Sequence, residues 1–377
     1  MTPGTIQLDS AILGSFGAES LLIGGRRTAT AEGSSVTVTS GSVTVDNAGG
    51  TLQAQDLVIV SKGGITLEEG ASLSSTGKLA ESDALLVSGN GTLVRVSADR
   101  NAVVLRSGIS TATSPLLTIG AGSEIKGGGI ILDSSAGVSL SPDARITADS
   151  YQFSAGNIAV ILKNPGSVTA GSGLVVSNSL LENLQKASSL KLLSYGSIDV
   201  YGTGTFGSTT GLASLGLSAG QIRGFNTSGG TARISAGTLR LENLASAASS
   251  VSTGAASGNI EFLANRVELG ENQIAVNGYS SVLLDASNGI IGEGTGGLSI
   301  QGDLITRSPV VAGAAGANRT ITATGSIALQ ASGRAGTAVV KSGLGSSLAV
   351  TGATVNVNTP VVLPSGSIRF SATSGDL

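Results

Sequence analysis

Between Val36 and Leu67 the chain reads VTVTSGSVTVDNAGGTLQAQDLVIVSKGGITL. Val36-Thr37-Val38, Val43-Thr44-Val45, Leu57 to Val60 and Ile65-Thr66-Leu67 are short β-favouring segments, each closed by Gly, Ser, Asn or Asp. Branched residues of this kind fit a pleated, half-buried surface, and the Gly-rich punctuation supplies turns. Alternation such as Val36 and Val38 against Thr37 and Thr39 sends aliphatics to one face of a strand and hydroxyls to the other.

The same texture runs outward from this stretch to both ends. It recurs at Leu85 to Val87, Leu93 to Val96, Ile130 to Leu132, Leu174 to Val176, Ile198 to Val200, Val282 to Leu284, Leu298 to Ile300, Leu348 to Val350 and Thr354 to Val357. About thirty such segments exceed the two to ten strands of an ordinary sheet, whereas a solenoid adds turns without limit because each touches only its neighbours. The expected fold is therefore all-β, a parallel β-helix in which residues 1–377 form a single continuous β-solenoid segment. With strands ~4.8 Å apart and two or three segments per turn, the chain makes roughly 10–15 turns and a stack about 50–70 Å long.

One stretch departs from this texture. Ser179-Leu180-Leu181-Glu182-Asn183-Leu184-Gln185-Lys186-Ala187 places apolar residues at helical spacing, and Ser179 with Glu182 matches a reciprocal N-terminal cap. It predicts a short helical insertion over 179–187, laid against the solenoid as a loop.

Composition narrows the chemistry. Gly contributes 57 of 377 residues, charged residues only 12 % and aromatics 3 %, so turns are frequent and the interior is aliphatic. With no His and no Cys in the chain, imidazole acid–base catalysis, thiol chemistry, disulfides and metal sites built on those ligands are excluded. The net charge of −3, from 21 basic and 24 acidic residues without a basic run, gives no footprint for nucleic acid or an anionic membrane. The longest apolar runs fall far short of the ~18 residues of a spanning helix. Residues 1 onward show no secretory signal.

Motif spellings weigh little against this composition. G-x-G-x-x-G occurs at Gly202, Gly204 and Gly207 and again at Gly292, Gly294 and Gly297, where about 1.3 chance matches are expected at this glycine content. Gly216-Leu217-Ser218-Ala219-Gly220 spells a nucleophile elbow without its His, and Ser188 to Lys191 spells S-x-x-K without companion motifs. Carboxylate chemistry remains permitted, with Glu68 and Glu69, or Glu81 and Asp83, as candidate pairs that read more simply as solvated turn residues. Tyr195, Tyr201, Phe206 and Phe225 form either a sugar-stacking platform or, the favoured reading, an internal stack. Arg95, Arg100 and Arg106 read as a solvated face, with a basic stripe for sulfated glycans as the sharper alternative, and Arg26-Arg27 stands as an isolated pair. No catalytic, cofactor-binding or metal-ligating residue is assigned, and no cofactor is expected.

Particular words carry a resemblance. Gly17 to Gly25 (GAESLLIGG), Val45 to Gly49 (VDNAG), Leu85 to Val96 with SGNGTL inside it, Leu117 to Gly122 (LTIGAG) and Leu192 to Gly202 (LLSYGSIDVYG) resemble an internal region of the filamentous haemagglutinin family of bacterial exoproteins. The resemblance implies a right-handed parallel β-helix, export through an outer-membrane transporter of the two-partner secretion type, and a role in adhesion or cell contact at a Gram-negative cell surface. Those exoproteins begin with a signal peptide and a secretion domain bearing Asn-Pro-Asn-Gly words, whereas only Asn164-Pro165-Gly166 comes near here, so the chain is expected to be an interior segment. The implied function is a non-catalytic adhesive shaft, with a host-cell or glycan receptor unspecified and end-to-end self-association expected of exposed sheet ends. The competing readings are a carbohydrate-active β-helix enzyme using Asp, Glu, Arg or Lys, and a self-assembling matrix protein.

Overall fold

A computed structural model of the chain describes residues 4–79, 82–110, 112–340 and 343–375. It is almost all β, 53 % strand and 3 % helix, with sheets of stacked and mainly parallel strands. Backbone contacts divide it into two compact units, Met1–Gly156 with Ser172–Leu174, and Asn157–Gly171 with Val175–Leu377.

In the first unit three rows of strands carry a repeat. Row one stacks Val43–Val45, Ile65–Leu67, Leu116–Ile119 and Gly137–Leu140, and row two stacks Leu52–Ala54, Ser72–Ser75, Glu124–Lys126 and Arg145–Thr147. Row three stacks Ser20–Ile23, Asp56–Ser61, Thr92–Ser97, Gly129–Ser134 and Ser150–Ala155. One repeat contributes one strand to each row, so Leu116 lies opposite Gly137, 21 residues on, and Gly129 lies opposite Ser150 at the same advance. Stacking in register lines up like side chains: Leu52, Leu73 and Ile125 form one buried aliphatic column.

Row three is buried on both faces, which explains its unalternated runs Leu57 to Val60 and Ile130 to Leu132. Its outer face is covered by a further sheet, Val104–Ser107, Leu85–Ser88, Gly33–Val38 and Gly25–Thr30, and Val36, Val58, Val87, Leu93 and Ile131 share the resulting core.

Among the described strand pairings, direction departs from the expected parallel arrangement at two places. Gly25–Thr30 and Gly33–Val38 form an antiparallel hairpin. Thr92–Ser97 runs antiparallel to both of its row-three neighbours, Asp56–Ser61 and Gly129–Ser134. The chain leaves row two at Ser75, passes out to Leu85–Ser88, turns through Gly89 and Gly91 with φ of 80° and 149°, and re-enters row three backwards. Leu85–Ser88 and Thr92–Ser97 belong to different sheets, so this turn carries the chain from the covering sheet back into row three.

The second unit is also three-rowed. Long strands Thr231–Glu242, Asn259–Leu269 and Ser281–Gly292 bend midway and serve two rows each. Their first halves stack with Gly204–Gly207 and Asp303–Arg307 (row four), and their second halves with Ser214–Ser218 and Val311–Gly313 (row five). Row six contains Ile158–Ile161, Ser197–Tyr201, Gln221–Phe225, Asn272–Asn277, Thr295–Ile300, Asn318–Ala323, Ser347–Gly352 and Ser367–Ala372. Leu215, Leu239, Val267 and Ile290 form one interior column, and Ile198, Ile222, Val276 and Ile300 another, all at most 1 % exposed. At the bends Ala236, Ala264 and Ala286 stack, small enough for the inner side of a corner.

The segment after Glu242 adds no strand to row six, and Gln221–Phe225 pairs directly with Asn272–Asn277. Side chains hold the bypassed loop instead. Asn243 donates to the carbonyls of Ala247 and Gln273, and Asn277 donates to that of Ser250 while accepting from the Ser252 amide. The expected helix forms over Asn178–Leu184, starting one residue before and ending three residues before the predicted 179–187, with Ser177 as its N-cap residue and no side-chain cap hydrogen bond. Ser179 lies inside the helix, so the Ser179–Glu182 cap reading is in the wrong frame.

Candidate functional site

Of the three arginines read as a solvated face or basic stripe, Arg95 and Arg106 are buried in ion pairs. Arg95 Nε donates to Asp56 Oδ1 at 2.8 Å and its Nη2 to Oδ2 at 3.2 Å, while Nη1 donates to the carbonyls of Asp83 and Val103. Arg106 Nε donates to Asp133 Oδ2 at 2.7 Å and its Nη1 to the Gly89 carbonyl. Both pairs are buried, because the covering sheet lies over the row-three face from which Arg95 projects. Each ties the excursion between Ser75 and Leu116 to a row-three strand. Arg100 alone of the three is exposed, and Arg27 lies 3.8 Å from Asp56.

The aromatics divide. Tyr201 and Phe206 are buried, and Tyr201 stacks on the half-buried Phe225 at 4.9 Å between ring centroids with Arg223 over the outer ring. Arg223 is held by Asp199 through two 2.7 Å bonds, and these hold its pKa above the ordinary arginine value against the opposing effect of burial. In-register pairing puts Asp199 opposite Arg223 and Tyr201 opposite Phe225 on adjacent strands, so the column is an internal cross-strand stack.

Glu68 and Glu69 are exposed in a turn, and Asp83 accepts a 2.6 Å bond from the Ser34 hydroxyl. Glu81 lies outside the described residues. Gly202, Gly204 and Gly207 occupy turns and strand ends of rows four and six, Gly292 packs against Arg319, and Ser218 is fully buried within a strand. None of these spellings has the strand–turn–helix setting its chemistry needs.

Two constellations escaped the sequence reading. The densest ionisable group centres on Arg240, which donates to Glu242 at 2.6 Å, to Glu268 at 3.1 Å and to Glu293. Lys191 approaches Glu242 at 3.8 Å, and Arg266 approaches Glu268 at 2.8 Å. Burial pulls the Arg240 pKa down, but its bonds to Glu242 and Glu293 outweigh this and raise it. Nearby, burial lowers Arg319 to about 10, offset in part by Glu271 and reinforced by Arg240. Every carboxylate around Arg240 accepts a hydrogen bond from its guanidinium, so the group is built as a cross-strand ladder of ion pairs. Arg240 and Glu268 are register partners 28 residues apart, which hides the cluster in the linear sequence.

The second constellation lies at the corner between rows four and five, where an open recess of ≈ 390 Å³ is lined by Thr209, Thr210, Thr238, Asn265, Arg266 and Asn288. Ala213, Gly237 and Val339 supply its apolar surface. The strand register shifts between Ala264 and Arg266, so that Ser287 and Asn288 face Asn265 alone across the ladder. Such a bulge re-aims side chains out of the pleat.

No group of three or more potential metal-ligating side chains is present among the described residues, and no helix there is long and apolar enough to cross a membrane. No protein family, no curated protein and no solved structure matches the chain.

Proposed function

We propose that this chain is a non-catalytic, right-handed β-solenoid shaft of filamentous haemagglutinin type. On this reading an outer-membrane transporter of the two-partner secretion type delivers it to the surface of a Gram-negative bacterium, where it acts in adhesion or cell contact. The observation that carries the reading is the pair of aliphatic columns, Leu215 to Ile290 and Ile198 to Ile300, in which each residue stacks in register on the next, the second passing over the one repeat that adds no strand to row six. A load-bearing stalk without disulfides needs such a repeating apolar interior bounded by continuous backbone ladders. The clustered ionisable residues support it as well: Arg95, Arg106 and Arg240 are bonded to carboxylates in structural pairs.

The test has two arms. Small-angle scattering of the purified chain is expected to give an elongated particle, and beads coated with it are expected to bind epithelial or bacterial cells above an albumin control. Release of reducing or unsaturated sugars from a polysaccharide panel, abolished by changing one clustered carboxylate, would overturn the non-catalytic reading; a spherical scattering profile would overturn the shaft.

A further inference from the structure

We propose that the corner recess of the second unit is a binding site for an uncharged saccharide. The proposal deepens the adhesive reading and rests on it for its biological use, but its chemistry comes from the recess alone.

Four side chains at the rim, Asn265, Asn288, Thr209 and Thr210, hold polar groups that bond to no other described residue, and Asn265 and Thr210 are exposed. Asn265 and Asn288 each turn the carbonyl oxygen toward the Ser287 hydroxyl, at 3.4 and 3.2 Å. The Asn288 carbonyl also accepts from the Thr337 amide at 3.3 Å. The Thr337 amide fixes the Asn288 side chain with its NH₂ away from Ser287, and the NH₂ groups of Asn288 and Asn265 have no partner among the described residues. The Thr209 and Thr210 hydroxyls likewise make no hydrogen bond to another of the described residues. The two asparagines come from neighbouring strands, one rung of ~4.8 Å apart, so their donors form a short array rather than a single point.

The ligand class follows from what this array wants. NH₂ groups need acceptors, and threonine hydroxyls take either role; a sugar hydroxyl offers both on one atom. The one charged group, Arg266, pairs with Glu268 through Nη2 at 2.8 Å, and its unpartnered Nε is buried out of a ligand's reach, so an anionic ligand gains little there. A peptide strand would need a free sheet edge, whereas the strands at the recess are paired with neighbours along their lengths. Ala213 and Val339 give the C–H face of a sugar ring an apolar contact. The volume of ≈ 390 Å³ falls within the ~300–1,000 Å³ of small-ligand sites.

The experiment uses the full chain and named probes. Saturation-transfer NMR and titration are run with lactose, cellobiose and N,N′-diacetylchitobiose, with a chondroitin disaccharide as the anionic probe and penta-alanine as the peptide probe. At least one neutral disaccharide is expected to bind with Kd of about 1 mM or tighter. Asn265→Ala with Asn288→Ala is expected to weaken it about tenfold or more, the loss of two hydrogen bonds. In the unaltered chain labelled with ¹⁵N-asparagine, that probe is expected to shift the side-chain NH₂ signals of Asn265 and Asn288, which decides the matter even if the double variant fails to fold. Binding of the anionic or peptide probe alone, no binding by any neutral probe, or binding that leaves those NH₂ signals unmoved would overturn the proposal. Elongation and cell binding are read separately, so failure here leaves the shaft reading to its own test.

Discussion

Arg95 and Asp56 lie diagonally across antiparallel strands, two positions out of register, and are joined by two hydrogen bonds, with side chains only 1 % and 3 % exposed. A fork of this kind replaces the water both ions lose. Removing one partner leaves the other charged and dry. Asp56→Ala is therefore expected to destabilise the first unit by about 3–5 kcal/mol, whereas Asp56→Leu combined with Arg95→Met costs less than either single change. Urea unfolding of the single and double variants checks the order; a double variant worse than both singles would contradict it.

Asp99 gives a prediction in pH. Burial alone would raise its pKa, but bonds from the Asn101 amide and from the Ser82 hydroxyl and amide lower it below the usual carboxylate value. A depressed folded-state pKa stabilises the fold above the unfolded value of about 3.9, and the contribution is lost as pH falls through the folded value. Asp99→Asn is expected to lower the melting temperature at pH 7, with the gap to the parent chain closing in strong acid. The size at pH 7 is about 1–3 kcal/mol, that of hydrogen bonds to a charged group. A gap that does not change with pH would show that the carboxylate charge is not what matters.

Tyr279 is fully buried beneath Gly224, where an added Cβ would stand 2.4 Å from the ring. Gly224→Ala is expected to cost about 1–3 kcal/mol through overpacking. The Tyr279 hydroxyl is buried without a hydrogen-bond partner, and burial pushes its pKa well up. Tyr279→Phe removes that unsatisfied group and is expected to be neutral or stabilising. Thermal melts of the two variants moving in the same direction would refute this account of the pocket.

The aliphatic columns predict a graded response along the stack. Val267 sits between Leu239 and Ile290 with no exposure, and Val267→Ala is expected to destabilise the second unit by about 1–3 kcal/mol through the lost methyls and the cavity left behind. Val357, 38 % exposed, is expected to tolerate the same change within about 0.5 kcal/mol. Hydrogen exchange of the flanking amides distinguishes the two.

Much of this was legible in the sequence, and the failures have physical causes. Val36 and Thr37 alternate as read, buried and exposed, because a strand's two faces are written directly into its period. The direction of Thr92–Ser97 is not written there, since parallel and antiparallel strands share that period. Arg95 looked solvated because the strands on either side of it in the chain, Leu85–Ser88 and Val104–Ser107, fold back over it together with the hairpin of Gly25–Thr30 and Gly33–Val38, which no local pattern shows, and its partner Asp56 is 39 residues distant. The helix frame slipped because Ser177 and Ser179 are equally good cap residues on paper. The recess rests on a bulge between strands whose facing residues are separated by more than twenty positions, a spacing no local pattern reveals.

The backward strand makes the excursion indispensable in one place and dispensable in two. Ile65–Leu67 already meets Leu116–Ile119, and Ser72–Ser75 meets Glu124–Lys126, so rows one and two would close over a deletion of residues 76–115 without loss. Row three would not: Asp56–Ser61 and Gly129–Ser134 touch only through Thr92–Ser97, and cutting it out leaves a missing plank between them. An excursion that looks like a removable decoration is, on that one side, part of the wall.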